Sequence, residues 1–313
     1  MCFYFSTDYL FNLNNFSSLG WAYIPAPVSS FLFPGGEVQT RLDDIVLRPV
    51  DTVNHMTDGN KDARILIVTR LTDANKIMEL GQLSDILHSQ GFTNVEAYIP
   101  FIPYMQQDRP MTDEVGDSPG YKESFALAVF AEMLNTFRLK TIYTIDPHSN
   151  VTNRSLINGL KVLSNQTFLY RAIGGGTVTR DVDYLVSPDE GAVKKTLKYS
   201  KMLKIPYIVS FKQRDPLTGK IVGVNLPREE GEKITGKTVM ITDDICIGGA
   251  TFVELAKELR KYNPKKIRLF VTHGIFSKGT TLEGIDEIFC TNSCRTLANT
   301  SAFTQYLLET PDV

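Results

Sequence analysis

The sequence contains few of the residues that mark disulfide-rich or membrane-spanning proteins. Its 313 residues include 4 cysteines, 4 histidines and 1 tryptophan. So few cysteines in a chain of this length exclude a disulfide framework, and free thiols are typical of a cytoplasmic protein. The longest apolar runs, such as 65–68, are far shorter than the roughly 20 residues that cross a bilayer, so we expect no membrane segment.

The chain also lacks an excess of charge of one sign. Lysine and arginine number 33 and aspartate and glutamate 35, which gives a formal net charge of −2. A nucleic-acid-binding protein usually carries a clear positive excess, so we expect no nucleic-acid partner. The content of hydrophobic residues, 42%, and of charged residues, 22%, is typical of a soluble globular protein. The length suffices for two ordinary domains.

Short β-branched apolar runs alternate with segments of helical periodicity along most of the chain. The predicted strands are 63–71, 95–102, 140–145, 183–186, 207–211, 238–242 and 267–272. The predicted helices are 73–89, 125–137, 192–203 and 251–262, and in the second of these the spacing places Phe125, Val129, Met133 and Phe137 on one face. Such alternation predicts an α/β fold with mostly parallel sheets flanked by helices.

Polar clusters follow five of the predicted strands, at the edge where parallel sheets bind ligands. These clusters are 104–110, 146–148, 187–192, 212–214 and 243–251. In the last of them, the paired carboxylates of Asp243 and Asp244 suit the vicinal hydroxyls of a sugar or a divalent metal. The small residues Gly248, Gly249 and Ala250 let backbone amides at a helix start approach a phosphate. The alternative interpretation is an acidic turn that caps a helix.

The other clusters allow both a structural and a functional interpretation. Pro147 is expected to hold Asp146 extended, and His148 could bind metal or phosphate or be an ordinary surface or core histidine. Asp189 precedes a helix and could simply cap it. Lys212 and Arg214 are two residues apart and share a face of a strand, in either a solvated hairpin or a mobile lid. Together these groups could bind a metal, a sugar and phosphates, which is what phosphoryl transfer requires.

The same segments, taken in order, resemble those of the ribose-phosphate pyrophosphokinases (PRPP synthetases). The matching segments are 33–37, 104–109, 146–148, 187–191, 212–214, 243–251 and 272–277. The resemblance implies two tandem type I phosphoribosyltransferase-like domains, at 1–154 on the ATP side and 155–295 on the ribose-phosphate side, with a helical tail at 296–313. It also implies Mg²⁺, ATP as co-substrate and a homo-oligomer, either a dimer or a hexamer. In this family the C1 hydroxyl of ribose 5-phosphate attacks the β-phosphorus of ATP, and AMP leaves.

The resemblance also implies roles for individual residues. The expected catalytic residues are Lys212, Arg214 and His148, and the expected metal ligands are His148 and Asp189. The expected ATP-binding residues are Phe33, Glu37, Gln106, Gln107 and Asp108. The expected ribose-phosphate-binding residues are Asp189, Asp243, Asp244, Gly248, Gly249, Ala250 and Thr251.

The sequence departs from the family pattern around the acceptor and part of the ATP site. Ile247 replaces an acidic residue of the sugar loop, Gly248 replaces a threonine, Gln106 replaces an arginine and Gly35 replaces an aspartate or asparagine. Each lost contact to a charged group is worth roughly 1.5–3 kcal/mol. The acceptor is therefore expected to be ribose 5-phosphate or a 5′-extended form such as ADP-ribose. The alternatives are a catalytically inactive regulatory relative and a phosphoribosyltransferase that joins a base to PRPP.

Overall fold

A computed structural model describes residues 2–6, 21–23, 28–42, 59–107, 123–149, 154–174, 181–214 and 221–308. The chain divides into two compact units. The first contains Met1–Leu163 together with Leu307–Val313, and the second contains Ser164–Tyr306. Within the described residues, no helix is long and apolar enough to cross a membrane.

The first unit is built on a six-stranded sheet in which all neighbouring strands are parallel. Its described strands are β1 (Cys2–Ser6), β2 (Trp21–Tyr23), β3 (Val28–Leu32), β4 (Val38–Leu42), β5 (Arg64–Val68), β6 (Val95–Tyr98), β7 (Thr141–Ile145) and β8 (Leu160–Leu163). Its helices are α1 (Ala74–Ser89) and α2 (Ala126–Thr136). The sheet order is β2-β1-β5-β6-β7-β8, while β3 and β4 form a separate antiparallel hairpin.

Helix α1 begins and ends where its sequence predicts. Asp73 lies in extended conformation before the first turn, and its side chain accepts a hydrogen bond from the Lys76 amide at 3.1 Å. This is the usual way in which an N-cap aspartate satisfies an amide of the first turn. Gly91, with φ of +87°, follows the last turn. The apolar face of α1, including Leu80 and Leu83, packs into the core together with Ile65 and Ile67 of β5.

The second unit repeats this plan. Its strands are β9 (Tyr184–Ser187), β10 (Tyr207–Val209), β11 (Phe211–Arg214), β12 (Ile221–Asn225), β13 (Thr238–Cys246), β14 (Lys266–Gly274), β15 (Glu287–Thr291) and β16 (Phe303–Tyr306). Its helices are α3 (Gln166–Ala172), α4 (Val193–Leu203), α5 (Arg228–Glu232) and α6 (Ala250–Arg260). The sheet is again parallel, in the order β10-β9-β13-β14-β15-β16, and β11 and β12 form a separate antiparallel hairpin.

The predicted fold class, α/β with mostly parallel sheets and flanking helices, is therefore confirmed. In each unit, the chain also forms a separate hairpin between the second and third strands of the six-stranded sheet, counted in chain order. The two hairpins hold two of the segments that the sequence analysis singled out, 33–37 between β3 and β4 and 212–214 in β11. The hairpin of each unit therefore holds a candidate functional segment, in the turn of the first hairpin and in a strand of the second.

Three details differ from the sequence-based expectations. The strand predicted at 238–242 continues to Cys246 as β13, because Ile245 and Cys246 are apolar and buried and pair with β14. The tail expected to be helical at 296–313 forms β16 at Phe303–Tyr306, because Phe303 and Gln305 are buried alternately with less buried neighbours, which is the period of a strand.

The third difference concerns the face of α2 that reaches the core. The predicted face contains Val129 and Met133, but these side chains are 61% and 37% exposed. The buried residues are Leu127, Phe130, Ala131 and Leu134. Because this helix is apolar nearly all round, periodicity alone does not distinguish its two apolar faces.

Candidate functional site

The carboxylates of Asp243 and Asp244 lie near the carboxyl end of β13, which is a central strand of the second sheet. Asp243 pairs with Val271 of β14. The Asp244 amide donates a hydrogen bond to Oδ1 of Asp243 at 2.9 Å. Asp244 is 4% exposed and Asp243 is half-buried. The two acids are thus inside the strand rather than in a turn after it, which fixes them more rigidly than the predicted acidic turn would.

The two carboxylates strongly affect each other's ionisation. Burial, and next the negative charge of Asp244, raise the pKa of Asp243 well above its ordinary value. Lys195 of α4 places its Nζ 3.8 Å from Oδ1 of Asp244 and partly offsets this effect. In the absence of a bound cation or hydroxyl donors, the pair therefore holds a proton more readily than an isolated aspartate does. A ligand that brings positive charge or hydroxyl donors would displace that proton.

Sequence reasoning did not single out Lys195. The sequence nevertheless contained a signal for this lysine, because the predicted helix at 192–203 is basic and begins directly after the cluster at 187–192. A lysine in the first turn of such a helix lies close to the carboxyl end of the neighbouring strand. The structure places it on the face of α4 that points toward Asp244.

The raised pKa of Asp243 leads to a testable effect on stability. An acid whose pKa is higher in the folded than in the unfolded state contributes least to stability above both values, so stability falls as pH rises through this range. Asp243→Asn removes this ionisation, and we expect the ligand-free variant to be more stable than the wild type at neutral and higher pH. We also expect its stability to depend less on pH. Urea unfolding between pH 4 and 8 measures this.

Glu254→Gln serves as the matched control for Asp243→Asn, since Glu254 is an exposed acid on α6. This variant should retain the wild-type dependence of stability on pH. An Asp243→Asn variant that is less stable than the wild type at every pH would contradict the interpretation.

The loop after β13 is shaped by Gly249, which lies at φ +79° and is the N-cap residue of α6. A Cβ at this position would come within 2.4 Å of Cδ2 of Leu282, whereas one at Gly248 would meet nothing nearer than 3.7 Å. The Ile275 and Ser277 amides donate to the carbonyls of Cys246 and Ile247, at 2.9 and 2.8 Å, and hold the loop in place.

The start of α6 offers hydrogen-bond donors toward this loop. The first amides of a helix have no carbonyl partner within the helix, so those of Ala250 and Thr251 are the natural anion-binding groups here. The arrangement suits a phosphate whose attached sugar reaches back to the two aspartates. Ile247 is 41% exposed on the loop, and Cys246 is buried, which raises the pKa of its thiol to about 12.

Asp189 occupies the turn before α4. Its Oδ1 accepts a hydrogen bond from the Ala192 amide at 3.0 Å, and its carbonyl accepts one from the Ser187 hydroxyl at 2.9 Å. The geometry therefore gives Asp189 the capping contact that its sequence position suggested. Its assignment to metal and ribose phosphate remains a prediction.

Lys212 and Arg214 lie on β11 of the hairpin in the second unit. Lys212 pairs with Val224 of β12 and Arg214 with Ile221, and the register shifts between Gln213 and Arg214. Residues 215–220, which join the two strands, lie outside the described part of the chain. Both interpretations, a solvated hairpin and a mobile lid, predict a hairpin here, so the observed hairpin does not distinguish them. The assignment of the two cations as catalytic remains a prediction.

In the first unit, Phe33 and Glu37 form the turn of the β3–β4 hairpin. The Phe33 amide donates to the Glu37 carbonyl and the Gly36 amide to the Phe33 carbonyl, both at 2.8 Å. Phe33 is 44% exposed, and its ring packs edge-on against that of Phe31, with centroids 5.1 Å apart. An exposed pair of aromatic rings on a tight turn is a suitable surface for stacking against a flat ring.

The remaining candidates of the first unit follow β6 and β7. Gln106 is exposed, while Oε1 of Gln107 accepts a hydrogen bond from the Ala126 amide at 2.5 Å and so caps the start of α2. His148 is exposed, and its amide donates to Sδ of Met105 at 3.4 Å. Asp108 lies outside the described residues.

Asp146 departs from the extended conformation that Pro147 predicted, since its φ is +44°. A non-glycine residue in this region is strained by roughly 1–2 kcal/mol. Such strain is concentrated at functional sites. It sets the direction in which the chain leaves β7 toward His148.

The oxygen atoms of the aspartates suit magnesium better than the nitrogen atoms of the histidine do. Mg²⁺ takes oxygen ligands, usually one or two carboxylates together with substrate phosphates and water. Asp189, Asp243 and Asp244 supply such oxygens, whereas the imidazole of His148 is a ligand more typical of zinc or copper. Within the part of the chain that the structure describes, no group of three or more histidine, cysteine, aspartate or glutamate side chains forms a ready-made metal site.

Several known proteins are similar to this chain in sequence. A family model described as a phosphoribosyl transferase domain matches residues 168–304. A ribose-phosphate pyrophosphokinase of Thermococcus kodakarensis is 28% identical over 250 residues, which cover 76% of this chain and 80% of that protein. A ribose-phosphate pyrophosphokinase of Pyrococcus abyssi is 25% identical over 297 residues, which cover 89% and 97%.

A solved structure extends the likeness to the fold of the whole chain. The crystal structure of phosphoribosylpyrophosphate synthetase from Mycobacterium smegmatis matches with a TM-score of 0.75 at 21% identity, and the match covers 98% of this chain and 94% of that one. The two proteins therefore share a fold.

Proposed function

Because the chain belongs to the ribose-phosphate pyrophosphokinase family, we propose that it transfers the β,γ-diphosphate of ATP to the C1 hydroxyl of a ribose 5-phosphate moiety. The observation that carries this proposal is the Asp243–Asp244 pair near the end of a central strand, followed after a short loop by Gly249 and the start of α6. This arrangement offers acceptors for two sugar hydroxyls and, one loop further on, amide donors for a phosphate.

The chemistry assigns a task to each group. The ribose hydroxyls donate to Asp243 and Asp244, which orients the C1 oxygen, while the amides of Ala250 and Thr251 receive the 5-phosphate. The C1 oxygen bonds to the β-phosphorus as the bond from that phosphorus to the α,β-bridging oxygen breaks, and AMP leaves with the bridging oxygen. The hydroxyl proton passes to solvent.

Charge stabilisation during transfer is assigned to the second hairpin. We expect Lys212 and Arg214 to neutralise the charge that develops on the transferring diphosphate, because phosphoryl transfer depends mainly on positioning and electrostatics. Mg²⁺, when bound, neutralises phosphate charge in the same way. Asp189 is the carboxylate that we propose as its ligand on the protein, and His148 would contact the ATP phosphates rather than the metal.

The ATP site is assigned to the first unit, with Phe33, Glu37, Gln106, Gln107 and Asp108. The exposed hydrophobic side chains at the β3–β4 turn, Phe31, Leu32 and Phe33, support the proposal that this turn serves a neighbouring copy in a homo-oligomer. An apolar turn of this kind would be left in water in a single copy. A cytoplasmic location is consistent with the buried, protonated thiols of Cys246 and Cys290.

The identity of the acceptor depends on Ile247 and Gly248. These residues lack the carboxylate and hydroxyl that the family pattern places there, and the small residues Gly248 and Ala250 leave space beside the phosphate position. Ribose 5-phosphate would be held there largely by backbone amides. A 5′-extended acceptor such as ADP-ribose, whose 5-phosphate is also joined to a second phosphate and so carries less charge itself, would need the space that Gly248 and Ala250 leave. The two acceptors are equally compatible with the loop.

AMP release from ATP and Mg²⁺ separates these possibilities, with ribose 5-phosphate in one reaction and ADP-ribose in the other. We expect turnover with at least one of them. In the double variant Ile247→Asp, Gly248→Thr, we expect the ratio of kcat/KM values to shift toward ribose 5-phosphate by about tenfold or more, since two contacts to its phosphate site are restored.

The same assay tests the alternatives. The Lys212→Ala variant serves as the control for contaminating activity. Absence of AMP formation with both acceptors would refute the enzymatic proposal and favour the regulatory relative. Release of pyrophosphate from PRPP that depends on an added base would instead favour a phosphoribosyltransferase.

A further inference from the structure

An open cavity of about 710 Å³ lies in the first unit, along the amino ends of its sheet. Arg64 begins β5, Glu96 lies near the start of β6, Lys140 precedes β7 and Lys161 lies near the start of β8. The candidate catalytic residues of the same unit follow the carboxyl ends of these strands. The cavity is therefore at the opposite edge of the sheet and is separate from the proposed ATP site.

The cavity is lined by four cationic side chains and one carboxylate. Glu96 is 5% exposed and engages Arg64, with its Oε2 accepting from Nη2 at 2.6 Å and from Nε at 3.2 Å. Arg64 also donates to the Tyr143 hydroxyl at 3.1 Å. The carboxylate of Glu96 is thus already used to hold one cation, which gives the cavity a fixed guanidinium wall.

The other three cations have no carboxylate partner within the described part of the chain. Among the residues that the structure describes, no carboxylate forms an ion pair with Lys140, Arg154 or Lys161. The ammonium of Lys161 lies 5.5 Å from the centre of the Tyr143 ring, on the side of the sheet that carries Arg64. Three positive charges that converge on one concave surface attract a polyanion.

A second observation points to a ligand with a hydrogen-bond donor. Asn94 lines the same cavity, and its Oδ1 is buried without a hydrogen-bond partner. Its Nδ2 makes only a long contact, 3.4 Å, to the Asp62 carbonyl. Unsatisfied buried acceptors are rare in proteins and cost about 1–3 kcal/mol, so a turn of this weakly held side chain that brings Oδ1 to a ligand donor in the cavity would be favourable.

The corresponding edge of the second unit shows that this charge is not a general feature of the fold. A smaller cavity of about 360 Å³ there is lined by Lys237, Lys265, Lys266 and Arg268. Lys266 and Arg268 are paired with Glu287 at 2.6 and 2.5 Å, and Lys237 lies 3.9 Å from Asp183. The second unit neutralises this edge with its own carboxylates, whereas the first leaves it positive.

We infer that the cavity of the first unit binds a small phosphorylated molecule that also carries a hydroxyl or amine donor. Lys140, Arg154 and Lys161 contact the phosphate groups, and Oδ1 of Asn94 accepts from the hydroxyl or amine. This site is additional to the proposed catalytic site, and its occupation does not depend on diphosphate transfer.

The test is hydrogen exchange on the full chain, with and without inorganic pyrophosphate or ribose 5-phosphate. We expect both compounds to slow exchange of the amides at 140–141 and 160–163, which are remote in the sheet from the candidate catalytic residues. In the double variant Arg154→Glu, Lys161→Glu, the ligand concentration required for protection should rise by tenfold or more, because each charge reversal turns an attraction into a repulsion. The matched control Lys265→Glu, at the cavity of the second unit, should behave as the wild type.

Asn94→Ala tests the second part of the inference. This variant should weaken protection by ribose 5-phosphate, which carries hydroxyl donors, and should leave protection by pyrophosphate unchanged. An equal loss for both compounds would overturn the role of Asn94, and absence of protection at 140–141 and 160–163 in the wild type would overturn the site itself. AMP formation should continue in all three variants, so a failure of the catalytic proposal would be seen separately in the wild type.

Discussion

Replacement of Lys212 by alanine is expected to slow diphosphate transfer by about 10²–10³-fold, which is the usual cost of removing one donor that acts on the transition state. The affinity for ATP should change much less, because such a contact strengthens only as charge develops on the transferring group. The rate of AMP release at saturating substrate and the equilibrium binding of ATP measure the two effects.

Lys201→Ala is the matched control for this variant, since Lys201 is an exposed lysine on α4, in the same unit but away from the hairpin. Its turnover should equal that of the wild type. If Lys212→Ala turned over at the wild-type rate, the hairpin would have no part in the chemistry, and its interpretation as a solvated hairpin would be correct.

Replacement of Gly249 by alanine is expected to lower the free energy of unfolding by about 2–5 kcal/mol, from left-handed strain together with overpacking. Both contributions follow from the structure, which gives φ of +79° and a Cβ position 2.4 Å from Leu282. Because the same residue shapes the start of α6, AMP release should fall as well. Urea unfolding and the AMP assay measure these effects.

The neighbouring glycine supplies the control. Gly248→Ala adds the same methyl group one residue earlier, where its nearest contacts would be at 3.7 Å, an ordinary van der Waals distance. It should change stability by less than about 1 kcal/mol. If the two variants were equally stable, the conformation assigned to the loop would be wrong.

The parts of the fold that were predictable from sequence are those with local signals. The N-cap Asp73 and the terminating Gly91 define α1 without reference to the rest of the chain. The end of β13 was not predictable, because Asp243 and Asp244 resemble a turn in sequence, whereas pairing of Asp243 and of the residues after Asp244 with β14 extends the strand. The buried face of α2 and the strand β16 likewise depend on tertiary packing that no local pattern encodes.

For the candidate site, residue types and order were readable from sequence, whereas contacts were not. The Asp243–Asp244 pair and the loop after it were found in this way. The approach of Lys195 to Asp244 and the capping contacts of Asp189 and Gln107 depend on how helices pack against strand ends. Some of these contacts join residues far apart in the chain, such as Lys195 and Asp244. Others, such as that of Asp189 with the Ala192 amide, join near neighbours that have several possible partners.

The separation of the β11–β12 hairpin from the six-stranded sheet has a consequence for local opening. Its backbone hydrogen bonds join only its own two strands, and it is attached to the core through Val224 and Leu226 at one end. A two-stranded ribbon that shares no backbone pairing with the sheet can open at a small fraction of the free energy that unfolds the sheet. Asp243 and Asp244, at the sheet centre, are among the last groups to be released. Under the proposed function, the second unit would therefore hold the acceptor on residues fixed in the sheet and the diphosphate on a hairpin that can open locally while the sheet stays folded.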